Sequence, residues 1–171
     1  MSQEFNSCAH LVGTAPQFMI PTFPRHQLDI FTEMYNMQIR TQQELAGLLP
    51  KYNVDPTKLE TVGEVFDALR ENKQAFDDEW AEITDALPGK SLPDKDRSAV
   101  WKRWKSKYEE IRNIKMEDLS DDDKLELQFE LVDTFHFYLN MMIILGVTPE
   151  KMHELYLLKN AENLKRWNGG Y

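Results

Sequence analysis

The segment FELVDTFHFYLNMMIILG (129–146) is apolar around nearly the whole circumference of a helix, yet it carries two carboxylates. At about 100° per residue, Phe129, Leu131, Val132, Phe135, Phe137 and Leu139 surround Glu130 and Asp133. A helix with no polar face to give to water is expected at the centre of a bundle, buried on every side. Asp and Glu are rarely buried unless they are paired or bind a metal. A second pair, Glu79 and Glu82 in DDEWAEI, has the same i, i+3 spacing and borders an apolar face. Asp77 and Asp85 point away from that face and read as solvated charges. Residues at i and i+3 are neighbours on a helix, so each pair can reach a shared point. An isolated pair would favour ion pairing to Lys or Arg of another helix. Two such pairs shift the balance toward a divalent cation, and hard oxygen donors suit Mg²⁺.

The rest of the chain supplies the other helices of a bundle. Residues 1–24, with Pro16, Pro21 and Pro24, read as a loosely structured arm preceding a domain over 25–171. A helix is expected from about Arg25 to Leu49, closed by Pro50. Thr61 and Glu64 have the form of a capping box and open a long helix to about Leu87. PGKSLPDKD (88–96) is a loop, and 98–115 is expected to be a helix with Trp101 and Trp104 on one face. Ser120 and Asp123 cap the apolar helix, Gly146 closes it, and Thr148-Pro149 opens the last one. No stretch alternates at period two. The expectation is an all-α bundle of about five helices.

Charge and cysteine usage narrow the functions. A net charge of −9 disfavours a general nucleic-acid binder, which needs a basic surface. Trp101 and Trp104 interleave with Lys102, Arg103, Lys105 and Lys107, but one short helix is thin support for base stacking. The single cysteine, Cys8, excludes an internal disulfide and suggests a reducing compartment. With no basic, then apolar, leader and no run long enough to cross a bilayer, a cytoplasmic protein is expected.

The last helix adds a different chemistry. Met152, Leu155 and Tyr156 form its expected inward stripe, and the same stripe continues as Lys159, Asn163 and Arg166. Lys and Arg so placed can hold phosphate oxygens, Arg bidentately. Basic residues that complement the helix dipole are the plain alternative. His136 lies one turn beyond Asp133 and suits either a ligand's sugar or a core hydrogen bond. Gln38 carries an amide able to read a pyrimidine edge or face water. No P-loop, Gly-rich fingerprint or Cys/His zinc pattern is present.

Glu79-x-x-Glu82, Glu130-x-x-Asp133, Lys159-Asn160-x-x-Asn163-x-x-Arg166 and a terminal Gly-Tyr together resemble the all-α dimeric dUTPases of the MazG-like NTP pyrophosphatase group. CAHL, KLET, SAVWKRWK, FELVDTFHFYLNM and LKNAENLKR, in that order, are similar to the dCTP/dUTP pyrophosphatases of T-even-type phages. The resemblance implies a homodimer and hydrolysis of dCTP and dUTP to monophosphate and pyrophosphate. It implies Mg²⁺ held by Glu79, Glu82, Glu130 and Asp133, with Glu82 as general base. It implies Lys159, Asn163, Arg166 and Tyr171 on the phosphates, and His136 and Gln38 on sugar and base. In the phage branch it also implies association with other nucleotide-synthesis enzymes. Asn168 departs from the family's Asn-Gly-Tyr ending by one residue and is discounted as a ligand. The alternatives are a dUTPase without dCTP activity, a broader MazG-like hydrolase, a non-catalytic helical interaction protein, or a nucleic-acid-binding regulator.

Overall fold

Each of the long helices begins where a side chain can satisfy its free amides. The computed structural model describes residues 29–51 and 53–168, and contains six α-helices with no strand among them. These are α1 (Ile30–Leu48), α2 (Val62–Ala86), α3 (Asp94–Arg97), α4 (Tyr108–Arg112), α5 (Asp121–Ile144) and α6 (Pro149–Asn168). The expected all-α class is therefore observed. Asp29 caps α1 by accepting from the Phe31 amide at 3.1 Å. The capping box of α2 is closed in both directions, Glu64 N–H to Thr61 Oγ1 at 3.2 Å and Thr61 N–H to Glu64 Oε2 at 2.8 Å. Ser120 Oγ accepts from the Asp123 amide at 3.0 Å at the start of α5, and Thr148 Oγ1 accepts from Lys151 at 3.2 Å at the start of α6. Gly146 ends α5 at φ 64°, with Val147 N–H reaching back to the Met142 carbonyl at 2.8 Å. That is the left-handed closure expected of a glycine just past a helix end.

The described residues fall into two compact units. One comprises Lys73–Phe137; the other comprises the described parts of Phe23–Asn72 and Tyr138–Tyr171. Within the first, Ala86, Ala99, Ile111 and Leu119 are buried. Within the second, Tyr35, Leu139, Met142, Ile143 and Ile144 form the core. Its one buried amide pair is Gln38 Nε2 donating to Asn140 Oδ1 at 2.8 Å.

Three expectations need correction. In place of one helix over 98–115 there are a 3₁₀ turn at Ser98–Val100 and the short α4, and the short α3 begins earlier, at the end of the expected loop. Trp101 and Trp104 are exposed and meet edge to face at 6.3 Å, so no buried apolar stripe repays helix formation there. Lysine and arginine side chains instead cap free carbonyls, Arg112 donating to Val100 O at 3.1 Å. Second, α5 is not buried all round: its last turns are, with Met142, Ile143 and Ile144 all buried, but Leu131, Val132 and Tyr138 are exposed. Third, the α6 stripe does not point inward, since Leu155 and Tyr156 are exposed and only Met152 is half-buried. The arm over 1–24, Cys8 and Tyr171 lie outside the described residues. No single described helix is long and apolar enough to cross a membrane.

Candidate active site

Helical spacing places the acidic side chains. Glu79 and Glu82 occupy one face in the last two turns of α2, and α5 carries Glu126, Glu130 and Asp133 at i, i+4 and i+7. Glu79, Glu82 and Glu130 converge: one carboxylate oxygen from each lies within 4.8 Å of the others. Asp133 is half-exposed and lies outside that trio, with Oδ1 3.7 Å from His136 Nδ1. His136 is itself half-exposed, which excludes the core-histidine alternative.

Two residues beyond those expected complete the cluster. Lys90 Nζ donates to Glu126 Oε2 at 3.1 Å and to Glu130 Oε1. Glu126 and Glu130 are buried, whereas the lysine remains about a third exposed. Glu126 was legible in principle, one turn before Glu130 on the same face. Lys90 was not, because nothing in a Pro/Gly loop states which helix its side chain will meet.

The loop is held by Asp123. Its Oδ1 accepts from the Ser91 amide at 3.0 Å and its Oδ2 from Ser91 Oγ at 2.8 Å and Ser120 Oγ at 2.7 Å. These bonds outweigh the opposing effect of burial, the largest single influence on this carboxyl, and keep its pKa below the ordinary value. Gly89 makes the approach possible. It sits at φ 102°, and a Cβ there would stand 3.1 Å from Asp123 Oδ2. Gly89→Ala is expected to destabilise the fold by about 1–3 kcal/mol through backbone strain and the clash with Asp123. Urea unfolding checks this; an unchanged midpoint would mean that the loop is not latched.

The electrostatics are those of a site short of positive charge. Glu79 is pushed above its ordinary pKa by burial first, then by the charges of Glu82, Asp133 and Glu130. Glu82 is raised by burial and by Glu130, with Lys90 opposing. Asp133 is raised by burial, against the pull of His136. On Lys90 burial is the largest influence and lowers the pKa, but hydrogen bonds to Glu130 and Glu126 outweigh it and the ammonium sits above its usual value. Carboxylates crowded until they repel one another, with only oxygen donors facing inward, fit a hard divalent cation.

The other expected site residues lie in the second unit. Gln38 is buried against Asn140. On α6, Lys159 is exposed, Asn163 half-buried, and Arg166 Nε donates to Glu162 Oε1 at 3.0 Å. That unit also holds a cavity of about 300 Å³ lined by Gln42, Asn53, Asn72 and Asn140 among others.

Fold and cluster together define an all-α protein with a carboxylate-built candidate cation site. Along its length the chain is similar to the dCTP pyrophosphatase of Enterobacteria phage LZ5, 42% identical over 175 aligned positions and 98% of both chains. It is likewise 40% identical to the dCTP pyrophosphatase of Enterobacteria phage T4, again over 98% of both. The chain therefore belongs to the phage dCTP pyrophosphatase family, a family of hydrolases. A DNA replication protein of phage T4 is 40% identical over 94% of this chain, which spans 41% of that larger protein. No family model and no solved structure matches.

Proposed function

We propose that this chain hydrolyses dCTP, and dUTP with it, to the nucleoside monophosphate and pyrophosphate. The observation that carries the reading is end-to-end likeness to two proteins named dCTP pyrophosphatase. The converging carboxylates of Glu79, Glu82 and Glu130 supply matching chemistry.

Glu79, Glu82 and Glu130, with Asp133 beside them, would hold Mg²⁺. Once bound, the ion would neutralise triphosphate charge and make water more acidic. Glu82 acts as general base. Its carboxylate, made more basic by partial desolvation and the charge of Glu130, takes the proton of the water that attacks the α-phosphorus. No covalent intermediate is required. Lys159, Asn163, Arg166 and Tyr171 are assigned to the phosphates on their chemistry and on the resemblance. His136, whose Nδ1 lies 3.7 Å from Asp133 Oδ1, is assigned to the sugar. Gln38 is assigned to the base, its amide already oriented by Asn140.

The chain acts as a homodimer in this reading. Leu131 and Val132 on α5 and Leu155, Tyr156 and Leu158 on α6 are large apolar side chains left in water by a single copy, and a second copy would cover such surface. The enzyme works in the cytoplasm of the infected cell, where association with other nucleotide-synthesis enzymes would channel its products.

The test is pyrophosphate release from each dNTP and dUTP, in Mg²⁺ and in EDTA. Turnover of dCTP and dUTP that EDTA abolishes is expected. Turnover of dUTP alone would overturn the dCTP assignment, and silence on every substrate from folded protein would overturn the enzyme.

A further inference from the structure

The acidic cluster already contains a cation of the chain's own. Lys90 Nζ is shared by Glu126 and Glu130, two carboxylates that are 5% and 7% exposed in their side chains. Glu130 is at the same time one of the three carboxylates that converge within 4.8 Å. The lysine is therefore bonded to one of the carboxylates that would ligate a divalent ion. Its position is built rather than incidental. The backbone that carries it is pinned at both neighbours, Gly89 against the Asp123 carboxylate and Ser91 to the same group through its amide and hydroxyl.

We propose that Lys90 is a resident counterion that weakens the site's affinity for free divalent metal, a proposal that rests on reading the cluster as a cation site. The ammonium neutralises part of the carboxylate set and repels an incoming ion. A divalent ion alone is held loosely, and a nucleotide triphosphate, bringing its own negative charge, makes up the difference. Metal and substrate binding are thereby coupled. Lys90 is a positioning residue in this scheme; it acts through Glu130 and touches no reacting atom. Glu126 serves as its anchor, which accounts for a buried carboxylate outside the converging trio.

The experiment titrates MnCl₂ into metal-free, full-length protein without nucleotide, by calorimetry, alongside thermal unfolding in EDTA and in Mn²⁺. Lys90→Met is expected to bind Mn²⁺ about tenfold more tightly, the size that one unit charge a few ångströms from a divalent ion gives even with water-like screening. Lys90→Arg, which keeps the charge, is expected to match the wild type. Lys124→Met, which removes a lysine of α5 paired with Asp121, is expected to leave the affinity unchanged. In EDTA the Tm of Lys90→Met should fall, and Mn²⁺ should raise it by more than it raises the wild type. A merely structural lysine would lower Tm equally with and without metal. Lys90→Gln serves as a second variant, since it removes the charge but keeps a polar donor on the same backbone. Equal or weaker Mn²⁺ binding by both charge-removing variants, with the wild type binding, overturns this proposal alone. Failure of the folded wild type and of both folded charge-removing variants alike to bind Mn²⁺ overturns the cation-site reading and the proposal with it.

Discussion

Replacing Glu82 with glutamine is expected to lower kcat on dCTP by about 10²- to 10⁴-fold, the range a positioned general base contributes. In EDTA the same variant should unfold at a higher temperature than the wild type. The two effects share a cause. Burial and like charges raise the carboxyl pKa of Glu82 in the folded chain above its ordinary value. A group with a raised folded pKa contributes its stability below the unfolded value and loses it as pH rises through the folded one. At neutral pH, without metal, the charged site therefore opposes folding, and an uncharged amide relieves it. Steady-state kinetics and thermal unfolding of one preparation check both arms. A variant that loses activity and also unfolds earlier would show that Glu82 supports the structure instead.

The second large effect falls on α5. Leu139 is 1% exposed and the largest fully buried side chain described, so Leu139→Ala is expected to cost about 2–5 kcal/mol in urea unfolding at any protein concentration. Leu131 is 58% exposed on the same helix. Leu131→Ala should cost the isolated chain no more than about 0.5 kcal/mol. In the proposed homodimer its loss appears as a shift in the monomer–dimer equilibrium, read by sedimentation. Equal penalties at both positions, independent of concentration, would argue that one chain buries both faces of α5.

How legible the molecule was in its sequence depends on the length scale of the interaction. Caps are local, and Thr61 with Glu64, Ser120 with Asp123, Gly146 and Thr148 all act where their spacing predicts. The convergence of Glu79, Glu82 and Glu130 was readable only in part: the spacing gave each pair a common face, and the resemblance, not the spacing, joined the two pairs into one site. Asp133 shows the limit. Its helical position was right, but the full burial inferred from its apolar neighbours was not, since periodicity cannot say which apolar face finds a partner. The Trp101–Trp104 helix failed for the same reason: the pattern was amphipathic, and nothing came to cover it. Lys90 depends on contacts thirty-six and forty residues away, beyond any local pattern.

The latch at Asp123 also bears on how this protein can change over generations. Residues 88–91 are fastened directly to the first turn of α5, so the neighbours of Lys90 are fixed without reference to the stretch between Ser91 and Leu119. That stretch is short helical pieces joined by turns, with Trp101 and Trp104 at its surface. Apart from Ala99 and Ile111, which are buried in this unit, its exposed positions can drift while selection holds the clasp itself still. Divergence among related chains should accumulate there, and new binding partners could be acquired there without disturbing the chemistry.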